Sequence, residues 1–429
     1  MTLVLVVLFG LMLLGIPVAF AILSAGMAYL ATTGGSMLVV AQRLIYGLNS
    51  FTLLAVPLFI LVGNLMDFGG ISKRLTDWAK SILGWLPGGL GIVTVFSCAI
   101  FAALTGSGPA TVAAIGSIML PSMLKAGYSR ETSAGLVASA GALGPIIPPS
   151  IPMIIYGVTM NLSIPAMFMA GVVPGLVIAL ALSLVNVVFA YRNPEVLKHA
   201  KTMKFDFKES MKLFWKALGA LGLPVLILGV IYGGIFTPTE SAAVGIVYAL
   251  ILGFALKELK VKDLPKILIN SLKTSTMVNF IIAAASLFSW VVSKSQIGIV
   301  ISNAFISFVG GSQALYLFVL VVVLLIVGCL MDNVAATLIL APILIPVGIA
   351  LGCNELHIGM LFCICLVVGF VTPPFGYNLF TAVSISGLNF KQIVKGALPF
   401  LLTEILLLFV FAYVPGIITW LPRLMGYGY

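Results

Sequence analysis

Long apolar stretches dominate the chain, and polar positions punctuate them only at intervals. A transmembrane helix needs roughly 20 apolar residues. Stretches of that kind fall at 3–32, 44–66, 130–160, 166–191, 217–233, 238–256, 266–292, 356–386 and 396–420. Two others, 89–121 and 313–350, are interrupted near the middle by Thr105-Gly106-Ser107-Gly108-Pro109 and by Met331-Asp332-Asn333. Each arm is only about 13–18 residues long, short for a crossing. Both are therefore expected to be re-entrant helical hairpins that dip in and return to the same side. Amphipathic segments precede them at 71–83 and 295–309, placed along the membrane surface.

Two of the spans are themselves broken. One contains Gly144-Pro145-Ile146-Ile147-Pro148-Pro149-Ser150-Ile151-Pro152 and the other Gly369-Phe370-Val371-Thr372-Pro373-Pro374-Phe375-Gly376. Paired prolines lack the donors that continue an α-helix. Non-helical backbone at membrane depth persists only where protein or a wet cavity satisfies it.

These interruptions are related. A shift of 225 residues carries Pro121 onto Pro346, Pro148-Pro149 onto Pro373-Pro374, and Ser107-Gly108 onto Asp332-Asn333. The unit of hairpin plus broken helix thus occurs twice, and charge sets its orientation. Lys73, Arg74, Lys80, Lys125 and Arg130 flank the first copy, whereas the matching flanks of the second carry no Lys or Arg. Cytoplasmic loops collect basic residues, and the segment 192–216, with Arg192, Lys198, Lys201, Lys204, Lys208, Lys212 and Lys216, is the most basic. The expected organisation is a first repeat at 1–191, a cytoplasmic linker at 192–216 and an inverted second repeat at 217–429. Nine spans then put the N-terminus inside and the C-terminus outside. With no basic n-region or cleavage site, Met1 onward reads as a first span rather than a signal peptide.

Composition agrees with lipid as the solvent. Of 429 residues 61% are apolar and 8% charged, against about 25% charged in soluble domains. A cytoplasmic enzyme, a nucleic-acid binder and a disulfide scaffold are excluded together. Cys98, Cys329, Cys353, Cys363 and Cys365 lack metal-ligand spacing, and His199 and His357 lie outside the breaks. An intramembrane enzyme would need such ligands or a Ser–His pair at depth.

Inverted repeats with discontinuous helices are the pattern of secondary transporters. A broken helix leaves carbonyls free at one end and N–H groups at the other, favouring a cation and an anion respectively. At the first tip Thr105, Ser107 and Thr111 supply hydroxyls and Gly106 and Gly108 allow the sharp turn. With carbonyls around Gly144, Pro145 and Pro148 they can form an oxygen cage for sodium; capping of helix ends is the other role open to such hydroxyls. At the second tip Asp332 and Asn333, with Thr337 one turn on, face Gly369, Val371 and Thr372. An acid at membrane depth marks function, and Asp332 can also cap the helix that follows. Glu240 reads as a capping-box residue behind Thr237 or as a proton or ion ligand, Glu404 as a contact to a polar neighbour or another subunit or as a proton carrier, and Asp67 as interfacial. The scarcity of titratable groups at the breaks favours sodium over proton coupling.

The runs Leu104-Thr105-Gly106-Ser107-Gly108-Pro109-Ala110-Thr111, Gly144-Pro145-Ile146-Ile147-Pro148-Pro149-Ser150, Gly234-Ile235-Phe236-Thr237-Pro238-Thr239-Glu240 and Val371-Thr372-Pro373-Pro374-Phe375-Gly376-Tyr377-Asn378 resemble the large membrane subunit of tripartite ATP-independent periplasmic (TRAP) transporters over nearly the whole chain. The resemblance implies an all-α, polytopic, elevator-type sodium symporter of a bacterial inner membrane, with at least two sodium sites. It also implies a separate small four-helix membrane subunit and a periplasmic binding protein that delivers an organic acid anion. Thr111, Pro149, Ser150, Pro373, Pro374, Tyr377 and Asn378, bordering the tips and breaks, are the expected substrate contacts. Phe375-Gly376-Tyr377 is similar to sialic-acid members; C4-dicarboxylates or other organic acids, and proton coupling, are the alternatives.

Overall fold

Proline, glycine and side-chain caps decide where each apolar run becomes a helix. The computed structural model describes residues 2–428, with the backbone alone at 2, 5, 13 and 297–302. The run at 3–32 is two helices rather than one, α1 (Thr2–Leu13) and α2 (Val18–Thr33). Gly15 at φ 79° and Pro17 before the first turn of α2 separate them. The run at 44–66 also divides, into α3 (Leu38–Leu48) and α4 (Ala55–Phe68), with Asn49, Ser50 and a 3-10 turn at Phe51–Leu54 between them. Helix α5 (Ile71–Leu83) coincides with the first amphipathic segment.

The first hairpin is α6 (Gly89–Thr105) and α7 (Gly108–Lys125). The broken helix follows as α8 (Arg130–Ala140) and α9 (Ile151–Met160), then α10 (Ile164–Arg192). Along α10 the exposed Leu176, Leu180, Leu184 and Val188 recur every four residues, with Ile178, Leu182, Asn186 and Ala190 buried between them. One helical face meets lipid and the other meets protein.

The basic segment 192–216 is not a simple linker. It holds α11 (Pro194–Thr202) and the opening turns of α12 (Phe207–Tyr232). Asp206 caps α12 by accepting from the backbone N–H groups of Lys208 at 2.8 Å and Glu209 at 3.2 Å, so the helix starts ten residues before the apolar pattern does. Then come α13 (Pro238–Ala255), α14 (Leu264–Lys294) and α15 (Ile297–Val309). The side chains at 297–302, within the second amphipathic segment, lie outside the described residues.

The second hairpin is α16 (Gln313–Leu330) and α17 (Asn333–Ala350), and the second broken helix is α18 (Glu355–Gly369) and α19 (Tyr377–Ser386). Hairpin and broken helix thus appear twice in the same order. The last run, expected at 396–420, begins earlier as α20 (Phe390–Tyr413) behind an Asn389–Gln392 capping box, and breaks before α21 (Gly416–Leu424) at Pro415. Among the described residues there is no strand, and eight helical segments are long and apolar enough to cross a membrane.

Close backbone approach seats the broken helices. A Cβ on Gly135 would lie 2.2 Å from the carbonyl carbon of Gly396, joining α8 to α20. One on Gly369 would lie 2.4 Å from that of Gly328, joining α18 to α16. Small residues at such crossings give the contact that hydrophobicity cannot supply in lipid. Helix α18 is buried from Leu356 to Gly369, as a helix apolar on every face requires. Outside this centre, α14 packs against α2, α3, α4 and α17. Lys80 on α5 donates to the Ser122 hydroxyl on α7 at 3.0 Å, and the Ser210 and Ser81 hydroxyls join α12 to α5 at 2.8 Å.

Candidate functional site

Two turns define the site. At the first tip α6 ends at Thr105, Gly106 takes a left-handed conformation at φ 59°, and extended Ser107 precedes α7. The hydroxyls close on themselves: Thr111 Oγ1 donates to the Ser107 carbonyl at 2.8 Å and lies 3.2 Å from Thr105 Oγ1. The tip sits on the break. A Cβ on Gly144 would fall 2.6 Å from the Ser107 carbonyl oxygen, and one on Gly106 2.8 Å from that of Pro149. Asn378 of α19 reaches the same place, its Oδ1 2.7 Å from where a Cβ on Gly108 would stand. Its amide donates to the Ala138 carbonyl at 3.0 Å, while Oδ1 has no partner.

The break carbonyls are partly engaged. Ser150 Oγ donates to the Pro145 carbonyl at 2.6 Å and accepts from the Met153 N–H at 3.4 Å, capping α9. The Gly369 carbonyl accepts from the Thr372 N–H at 3.0 Å, and the Thr372 hydroxyl donates to the Val368 carbonyl at 3.0 Å. A carbonyl has two lone pairs, so those of Pro145 and Gly369 each retain one for a further donor or a cation, while that of Val368 also accepts from the Val371 N–H at 3.0 Å.

At the second tip Asp332 caps α17, its carboxylate accepting from the Val334 N–H at 2.8 Å. Behind it the Asn333 amide, both atoms, and the Thr337 hydroxyl are buried without a partner. Each such group costs about 1–3 kcal/mol, and three together on one turn are conspicuous for a folded interior.

Both tips open on a single cavity of about 640 Å³. Of the sequence-derived candidates, Thr105, Ser107, Gly108, Pro145, Asp332, Asn333 and Tyr377 line it. Gly144, Pro148, Pro149, Ser150, Thr111 and Asn378 sit behind the first tip, buried; Gly369 and Val371 are buried behind the second, with Thr372 and Pro373 half-buried and Pro374 exposed. None of these ten and Pro374 is among the lining residues. The opposite wall belongs to α4, α5 and α14 and brings Asn64, Asp67, Ser72, Lys73 and Thr274. Asn64 donates to the Ser271 hydroxyl at 2.8 Å, tying α4 to α14. Asp67, expected at the interface and one residue from the end of α4, lines the cavity and accepts from Ser72 Oγ at 3.3 Å. Its being an acid amid the apolar residues of α4 was the signal available in the sequence.

Two other acids lie away from the cavity. Glu240 closes a capping box with Thr237, accepting from its N–H at 2.8 Å. Glu404, expected to meet a polar neighbour or another subunit, is buried within α20 and has no hydrogen-bond partner on either carboxylate oxygen. Neither lines the cavity.

The family described as tripartite ATP-independent periplasmic transporter, DctM component, matches residues 5–417. The chain belongs to that family. Its relatives in the DctM family include the C4-dicarboxylate TRAP transporter large permease protein of Pseudomonas aeruginosa, 39% identical over 94% of each chain. The sialic acid TRAP transporter large permease protein of Vibrio cholerae is 33% identical over 98% of each. A crystal structure of the YdaH transporter of Alcanivorax borkumensis superimposes with a TM-score of 0.58 at 14% identity, covering 94% of this chain and 89% of that one, a likeness of fold alone. This DctM chain is accordingly a multi-pass transporter component.

Proposed function

We propose that the chain carries an organic acid anion into the cytoplasm of a bacterium by sodium-coupled symport, with the hairpins and broken helices moving as one body against α4 and α14. The observation that carries this reading is the shared cavity, with Asp332 and Asn333 on one side, the hydroxyl-lined first tip on the other and polar scaffold residues across from both. Sodium is bound at two places at least: Thr105, Ser107 and Gly108 with carbonyls of Gly144, Pro145 and Pro148, and Asp332 and Asn333 with Gly369, Val371 and Thr372. A hard cation suits oxygen donors, and the unpartnered Asn333 and Thr337 oxygens favour an occupant at the second tip. The confinement of Glu240 to a cap weighs against proton coupling.

The anion is held by Thr111, Ser150, Tyr377 and Asn378 and by backbone N–H groups at the tips, with Pro149, Pro373 and Pro374 shaping the walls. A small four-helix membrane subunit and a periplasmic binding protein complete the assembly in the inner membrane, as the tripartite family description supports. Phe375-Gly376-Tyr377 favours sialic acid as the substrate, whereas the higher identity to the relative named for C4-dicarboxylates favours that second reading. Proteoliposomes holding the chain, its small subunit and the binding protein decide. Uptake of radiolabelled sialic acid or succinate should require an inward sodium gradient, and uptake driven equally by a proton gradient without sodium would refute the coupling.

A further inference from the structure

A second cavity, of about 780 Å³, opens beside the first and touches it at Met277, Asp332 and Tyr377. Its walls are residues 17–20 at the start of α2 and one face of α14 from 269 to 281. Apart from Lys273, Thr276, Asp332 and Tyr377 the lining is apolar, and Phe20 and Leu272 are more than half exposed. A small polar organic acid finds little to bind on such walls. The size falls within the range of single-ligand sites.

Lys273 and Asp332 are the charged residues of the cavity, and the Asp332 carboxylate is engaged in capping α17. Lys273 lies nine residues into α14, about 13 Å along the axis at 1.5 Å per residue, and is the one cation among the described lining residues. Among the described residues no salt bridge engages it, whereas Arg74 pairs with Glu258 at 3.0 Å. An ammonium beside apolar walls is well placed for a charge-assisted bond to a carboxylate.

We infer that this lateral cavity binds a single-chain fatty-acid anion from the membrane, its carboxylate on the Lys273 ammonium and its chain along Phe20 and Phe280. With Asp332 held by the α17 cap, the Lys273 ammonium is left to match an acid group from outside, and an acyl chain matches the apolar walls. The bound chain lies between α14 and the second hairpin tip. If the hairpins move against α14 as proposed above, occupancy opposes that movement; binding itself does not rest on that reading.

Photoactivatable palmitate, added to the purified chain with its small subunit and followed by peptide mapping, tests the site without any transport measurement. Labels should fall within 17–20 and 269–281 or at Asp332 and Tyr377. Excess palmitate should compete while hexadecanol does not. Lys273→Gln should lower labelling about tenfold, the scale of one lost charge-assisted contact, and Lys273→Arg should keep most of it. Labelling elsewhere, equal competition by hexadecanol, or displacement by succinate or sialic acid would overturn the assignment. The competition arms use the unsubstituted chain, so they decide even if Lys273→Gln fails to fold.

Discussion

The two hairpin tips occupy equivalent places in the repeated order but solve the problem of buried polarity differently. At the first, Thr111 donates to the Ser107 carbonyl and approaches Thr105, so the hydroxyls satisfy one another. At the second, only Asp332 finds a backbone donor, and the Asn333 and Thr337 polar atoms are left without partners. The first tip satisfies its own buried hydroxyls and leaves unpartnered the Asn378 Oδ1 that α19 brings to it, whereas the second leaves three polar atoms of its own turn in reserve. A polar group buried without a partner costs more than a made bond returns. The second tip should therefore gain more from an occupant than the first.

The largest expected effect tests what the tips share, their seating on the breaks. Gly144→Ala and Gly369→Ala each push a Cβ within 2.6 and 2.4 Å of backbone atoms and should each cost about 3 kcal/mol by melting in detergent. If only one is costly, the tips are not seated alike. A smaller pair carries opposite signs. Thr337→Val removes an unpartnered hydroxyl and should stabilise the sodium-free chain by about 1 kcal/mol, whereas Thr111→Val breaks a made bond and should cost about 1 kcal/mol. Equal signs would erase the contrast between the tips. Ser107→Ala should change stability least, under about 0.5 kcal/mol, because the hydroxyl of Ser107 makes none of the first tip's bonds; sodium affinity is where its loss should register.

Much of the fold was legible because proline and glycine act locally. The second hairpin follows its apolar pattern to both ends at 313 and 350, and both breaks fall on their proline pairs. The failures were of capping and of short interruptions. Asp206 and the Asn389–Gln392 box start helices well before the apolar runs, while Gly15 and Pro17 divide a run that composition alone joined. The site was legible along the chain but not across it. The spacing of repeats puts Thr105, Ser107, Asp332 and Asn333 at turns, yet only tertiary packing shows that Asp67, Lys73 and Thr274 face them. Local pattern says nothing of which helix face meets a cavity when nearly every face is apolar.

The central claim is that the second tip is completed by sodium. Melting of the purified chain with its small subunit, measured against sodium with potassium and choline at equal ionic strength, tests it most directly. A ligand bound only by the folded state stabilises it with the logarithm of its excess over Kd. The account predicts a saturable rise specific to sodium, abolished in Asp332→Ala beyond the roughly 1 kcal/mol lost with the helix cap. An identical response to all three cations, or a sodium response that survives Asp332→Ala unchanged, would contradict it.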